Sequence, residues 1–204
     1  DLYVQLKKTV LGWFGRVPRI NWWMFDGVSV NARRVKEGAA RWPALDVVYN
    51  FKKGHGSTKL VRRIDAFWMH ILNARAVRNR LKIVKRELLD AIIATSGDGA
   101  PVKILSLAAG TAQGVIEVVA EASRLSIKTE VLLIDSDETA LDYAVVLAET
   151  HGVRDSVTIR KASAFRFASE LRKLAFRPSI VEMCGLVDYL PDQKAIWLMS
   201  RIQE

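Results

Sequence analysis

From residue 102 onward the apolar positions change rhythm. Four short apolar runs read as strands: Lys103 to Leu107, Glu130 to Ile134, Val157 to Arg160 and Ser179 to Met183. Between and after them, apolar residues return every three or four positions over Gly114 to Leu125, Glu138 to His151, Phe167 to Ala175 and Pro191 to Ile202, which read as helices. Strands alternating with helices imply parallel strands joined by right-handed crossovers. Upstream the helical period dominates. Ile64, Phe67, Trp68 and Ile71, then Val77, Leu81, Val84, Leu88 and Ile92, mark Thr58 to Ser96 as helical. That stretch is long for one globular helix, so a break is expected near Asn73. Asp1 to Val17 is loosely helical and ends at Pro18. Ser29 or Asn31 is expected to cap a short helix running through Ala40, with Pro43 soon after its end. Phe51 to Ser57 reads as a loop, and GDGAP at Gly97 to Pro101 as the boundary between a helical region, 1–97, and an α/β domain, 98–204.

Composition sharpens this picture in two places. With half of its 204 residues hydrophobic, the chain can bury a core of one ordinary domain with a helical extension. No apolar run approaches the ~20 residues of a membrane span. Lys7 and Lys8 interrupt the apolar residues of the N-terminus, which therefore lacks the layout of a signal peptide. The chain begins at Asp1 rather than at Met, as expected of a processed or truncated product. The single cysteine, Cys184, excludes an internal disulfide and fits a reducing, cytoplasmic location. The net charge of +9 is uneven: residues 1–100 hold 19 basic against 8 acidic side chains, the remainder 12 against 14. The basic half is either a solvated helical surface or an attraction to an anionic partner. Five of the six tryptophans (Trp13, Trp22, Trp23, Trp42 and Trp68) fall in that half, which fits a core or docking surface first and a membrane-interface or base-stacking role second.

Candidate chemistry concentrates in VKILSLAAGTAQG, Val102 to Gly114, and VLLIDSD, Val131 to Asp137. The first is a strand that breaks into a turn of small residues, Ala108 to Ala112, before a helix. Such a turn lets ligand atoms approach the backbone at the positive end of the helix dipole. The second ends in Asp135, placed at a strand tip where a carboxylate can accept ribose hydroxyls; helix capping is the competing use of Asp135 or Asp137. The pattern is G-x-x-x-G (Gly110, Gly114), without the glycine spacing or lysine of a pyrophosphate cradle, which argues against a nicotinamide dehydrogenase. His55, His70 and His151 show no metal-ligand spacing, so no metal is expected. Glu182, inside the fourth run, either faces a ligand pocket or pairs with a base.

In their order, these segments resemble class I S-adenosylmethionine-dependent methyltransferases over about residues 100–204. The resemblance implies a Rossmann-like parallel sheet and S-adenosylmethionine as cofactor. Ser106 stands where the family usually has an acid, and Ala108 and Ala112 replace glycines. Serine can hydrogen-bond but brings no charge, which implies weaker affinity or a rearranged pocket. Asp135 matches the ribose-binding acid. KASAF, Lys161 to Phe165, matches the adenine-contacting turn, with Ser163 at the usual Asp position. IVEMCGLVDYLPD, Ile180 to Asp192, is similar to the fourth strand and its following turn. The implied cofactor-binding residues are Ser106, Ala108, Gly110, Thr111, Gly114, Asp135, Ser136, Ser163, Ala164, Phe165 and Cys184. Asp188 and Tyr189 are candidates to touch substrate. Asn73, Arg78 and Arg80, on the helix before the first strand, are candidates to bind an anionic substrate group. A small-molecule acid, a lipid-like acid and RNA all remain open as substrates. A non-catalytic binding or assembly module on the same fold is the competing reading. The family sheet has seven strands against four here, so the last strand is expected to be covered by the N-terminal helices or, in a homo-oligomer, by a second chain.

Overall fold

A computed structural model describes residues 31, 34, 35, 38, 41–51, 58–97 and 99–203. The helical reading of Asp1 to Val17, Trp13, Trp22, Trp23, the Ser29 cap, most of the Phe51 to Ser57 loop with His55, and Asp98 lie outside the described residues. The chain divides into two compact units, Asp1–Val77 and Arg78–Glu204.

In the first unit, helix α1 (Trp42–Tyr49) carries a proline in its opening turn. There a missing N–H costs nothing and the fixed φ favours the helix, so Pro43 opens α1, downstream of the helical residues Asn31, Arg34 and Val35. Helix α2 (Lys59–His70) begins at Thr58, whose side chain accepts the Val61 N–H at 3.2 Å. It stops where Ile71 turns extended (ψ 157°), and α3 (Leu72–Thr95) begins at once. The expected break therefore falls two residues before Asn73. Val48, Met69 and Ala74 form the buried core of this unit. Asp65, also buried, receives the Asn31 amide at 3.1 Å.

The second unit contains β1 (Val102–Leu107), α4 (Gln113–Arg124), β2 (Thr129–Asp135), α5 (Glu138–Thr150), β3 (Val157–Lys161), α6 (Phe167–Leu174), β4 (Ile180–Glu182) and α7 (Asp192–Gln203). All four strands are parallel, in the order β3-β2-β1-β4. This is the α/β, Rossmann-like sheet expected, and each predicted strand and helix lies within a residue or two of its place. Alternate side chains serve opposite faces of the sheet. Val102, Ile104, Val131 and Leu133 pack with Leu88 and Ile92 of α3, Ile116 and Val119 of α4, and Leu141 and Ala144 of α5. Leu105, Leu107, Leu132 and Ile134 meet Phe167 of α6 and Leu198 of α7 on the other face.

Two features fix α4 against the part of α3 that belongs to this unit. The missing side chain of Gly114 admits Leu81, whose Cδ1 would lie 3.0 Å from an added Cβ. Lys85 meets Glu117 at 2.5 Å, and Gln113 also donates to Glu117 at 2.8 Å. Burial pushes the Glu117 carboxyl up, but the hydrogen bonds from Lys85 and Gln113, with the lysine charge, outweigh it and hold the group below its ordinary value.

Candidate functional site

The chain passes from β1 outward to β2 and β3, then returns to the other side of β1 for β4. Open parallel sheets bind ligands at such a reversal, at the carboxyl ends of the strands. Here the reversal gathers the turn after β1, the tip of β2 and the segment after β4.

The turn is tied down by its own backbone. Ala109 N–H donates to the Ile134 carbonyl at 3.2 Å, and Ala112 N–H to the Ala109 carbonyl at 2.8 Å. Gly110 N–H donates to Asp135 Oδ2 at 2.7 Å, and Asp137 N–H to Asp135 Oδ1 at 2.8 Å. Gly110 and Asp135, 25 residues apart, thus meet directly. A carboxylate has about four acceptor positions, and two are used here, which leaves two for a ligand. An added Cβ on Gly110 would find no heavy atom within 4 Å, so the turn is open above that residue. Asp137 does the capping: its side chain accepts from Thr139 N–H at 3.0 Å and Ala140 N–H at 3.4 Å at the start of α5. Of the two acids, Asp137 is therefore the one that caps α5.

Ala108, Gly110 and Ala112 all hold left-handed backbone, with φ of 51°, 53° and 50°. For an L-residue with a Cβ this costs about 1–2 kcal/mol. Ala108→Gly is expected to raise stability by about 0.5–1 kcal/mol, because relief of that strain exceeds the added chain entropy of glycine. Ala112→Gly is expected to be close to neutral. The Ala112 methyl is buried in the core, and its loss costs about 0.8 kcal/mol, offsetting the relief. Urea midpoints at constant m-value measure both.

Thr111 is half-buried in the turn, and Ser136 is exposed beside Asp135. Gly114 turns its Cα toward Leu81 and Lys85 of α3. Past β3, Ser163 accepts the Phe165 N–H at 3.4 Å and starts a single turn of 3-10 helix, Ala164–Arg166. Ala164 is buried, whereas the Phe165 ring leans on Trp197 of α7 with centroids 5.8 Å apart. Trp197 went unnoticed in the sequence, because nothing local links it to a turn 32 residues earlier.

On the opposite flank of β1, Ser106 pairs in register with Glu182 of β4. Its hydroxyl donates to Glu182 Oε2 at 2.5 Å, and the Cys184 backbone also bonds the carboxylate. Among the described residues Glu182 enters no salt bridge. Burial pushes its carboxyl up, against the opposing hydrogen bonds from Ser106 and Cys184. Burial also pushes the Cys184 thiol up, opposed by the charge of Arg80, whose guanidinium lies beside Gly185. Asp188 and Tyr189 are exposed in the short turn Val187–Tyr189. Arg78 is half-buried in the same unit, while Asn73 is exposed and belongs to the first unit. Among the described residues no three His, Cys, Asp or Glu side chains gather into a metal-binding group, and no helix is long and apolar enough to cross a membrane.

Residues 20–200 match the model of a family described as "Putative methyltransferase", and the chain belongs to that family. It is 24% identical over 153 residues to a protein of Escherichia coli K12 described as "Uncharacterized protein YnbC". That match covers 75% of this chain and 25% of the relative, so the chain spans about a quarter of the relative's length. A crystal structure of a "possible exported protein" from Bordetella parapertussis shares the fold at a TM-score of 0.56 and 19% identity, over 84% of this chain and 55% of that one. A methyltransferase from Geobacter sulfurreducens, solved with S-adenosyl-L-homocysteine, aligns over 58% of this chain and 42% of its own, with 18% identity and a TM-score of 0.43.

Proposed function

We propose that the chain carries the cofactor site of an S-adenosylmethionine-dependent methyltransferase. The observation that supports this most is the Asp135 carboxylate, held at the tip of β2 by the Gly110 and Asp137 N–H groups with acceptor capacity left for two adjacent hydroxyls. Membership of the family described as "Putative methyltransferase" points the same way. In this reading Asp135 takes the ribose, and the Phe165–Trp197 ring pair offers an apolar wall to adenine. The cofactor, when bound, supplies a methyl group already activated on a sulfonium. The chain's own task is to align an acceptor, exclude water and, for a protonated acceptor, remove a proton. Asp188 is the candidate for the proton and Tyr189 for contact with the acceptor, in a cytoplasmic setting that suits the single unpaired Cys184. The acceptor is an acidic small molecule, a lipid-like acid or RNA, with Arg78 and Arg80 as its candidate anion contacts.

A thermal-shift series with S-adenosylmethionine, S-adenosylhomocysteine, NAD and NADP tests the reading. At about 100 times its dissociation constant a ligand of the native state adds roughly 2.7 kcal/mol, which raises the midpoint visibly. A response to the first two compounds alone is expected. A response to NAD, or to none, sinks it. The competing reading, a binding module without turnover, is favoured by the neutral Ser106 at the acid's position; cofactor binding with no methyl transfer to any acceptor class would establish it.

A further inference from the structure

The tip of β1 is flanked by two carboxylates, and only one of them is accounted for by the ribose. Asp135 lies on β2, to one side. Glu182 lies on β4, to the other, and is drawn to β1 by the Ser106 hydroxyl at 2.5 Å. Ser106, Asp135 and Glu182 all follow the strand positions whose side chains face α3, α4 and α5: Ile104, Leu133 and Ile180 precede them by two residues on the same face. With strands about 4.8 Å apart, two spacings set the acids on the order of 10 Å from each other. That separation suits the ribose and the amino-acid tail of a single ligand.

The surroundings of Glu182 say what kind of group it awaits. Its carboxylate meets two neutral donors, the Ser106 hydroxyl and the Cys184 backbone, and no salt bridge forms there among the described residues. A desolvated carboxylate without a counter-charge is costly, and burial pushes this one up accordingly. Two of its roughly four acceptor positions remain. Arg80 lies against Gly185, and its charge acts on the Cys184 thiol. An incoming ammonium would supply both the charge and the missing donors.

We propose that Glu182, oriented by Ser106, receives the α-ammonium of the cofactor's amino-acid tail, so that the acid missing from the end of β1 is supplied across the sheet by β4. This assignment rests on the cofactor reading above and adds to it a residue and a ligand group. Ser106 is then a positioning residue, and its lack of charge is made good by its neighbour.

Calorimetric titration of the full chain with S-adenosylhomocysteine and with 5′-methylthioadenosine separates the possibilities. The second ligand keeps the adenosyl group and thioether but lacks the amino-acid tail. Glu182→Gln is expected to weaken S-adenosylhomocysteine by about 10- to 100-fold, the worth of a charge-assisted hydrogen bond, and methylthioadenosine by less than about twofold. Adding Ser106→Asp to Glu182→Gln is expected to recover most of the loss by returning a carboxylate to β1. Equal weakening of both ligands, or of neither, overturns the assignment. If Glu182→Gln does not fold, Ser106→Ala decides: a loss confined to S-adenosylhomocysteine supports the assignment, and an equal effect on both ligands refutes it. Wild-type protein that binds neither ligand removes the cofactor reading itself, and that failure differs from one in which wild type binds both and Glu182→Gln changes nothing.

Discussion

Asp135→Ala is expected to weaken S-adenosylhomocysteine binding by about 100-fold or more and to lower stability by about 1–2 kcal/mol. The first effect follows from the charge of the acceptor. Two hydroxyls bonded to a carboxylate are worth roughly 1.5–3 kcal/mol each, so losing both removes at least two orders of magnitude. The second follows from the donors left behind. Gly110 N–H, at 2.7 Å, and Asp137 N–H, at 2.8 Å, would lose their acceptor. Both residues are half-buried, so water replaces only part of the loss. Asp137→Ala is the informative contrast. Asp137 caps α5 through the Thr139 and Ala140 N–H groups, so its loss costs about 1 kcal/mol of stability, with affinity kept within about threefold. Titration calorimetry and urea midpoints on the two variants read both quantities. Retained affinity in Asp135→Ala together with lost affinity in Asp137→Ala would reverse the roles assigned to the two acids.

That reversal was open in the sequence, and the reason is physical. An acid just after a strand and just before a helix satisfies both the ribose and the capping pattern, and Asp135 and Asp137 both qualify. The fold separates them: Asp137 accepts the Thr139 and Ala140 N–H groups, while Gly110 N–H, in the turn after β1, reaches Asp135. The two central strands, β1 and β2, were legible because their apolar runs are buried on both faces and bounded by turns. The break in the long N-terminal helical stretch was legible from length, and it falls near Asn73 as expected, although Ile71 is itself apolar and in phase with the helix. A proline marks an end or a beginning equally well, and in WPALDVVY it begins α1. Least legible was the pairing of Ser106 with Glu182. Residue by residue, Ser106 reads as a lost charge and Glu182 as an isolated one. Their meeting depends on the β1–β4 register, set by crossovers that place residues 76 positions apart side by side. Sequence spacing cannot express such a pairing. Gly114 likewise reads as part of a ligand turn, and nothing nearby in the chain announces that its Cα faces Leu81 and Lys85.

Leu198→Ala is expected to cost about 2–5 kcal/mol, the range for deleting a fully buried leucine when the site relaxes only in part. The two faces of the sheet are not equally provided for. The face covered by α3, α4 and α5 buries residues from every one of those helices, whereas α7 sends a single fully buried side chain, Leu198, into the opposite core. Besides Leu198, Ile202 packs partly buried against that core, whereas Ile196 is 69% exposed and Met199 46%. Ile196→Ala should therefore stay within about 0.5 kcal/mol of wild type. The cost of Leu198→Ala should extend to the site, because the same helix carries Trp197 against Phe165 at 5.8 Å. Loosening α7 withdraws one ring of the pair assigned to adenine, so S-adenosylhomocysteine should weaken in Leu198→Ala and stay unchanged in Ile196→Ala. Chemical denaturation gives the stability term and titration the binding term. A loss below about 1 kcal/mol for Leu198→Ala would mean that α7 is not docked through this residue, and the Phe165–Trp197 wall would lose its support with it.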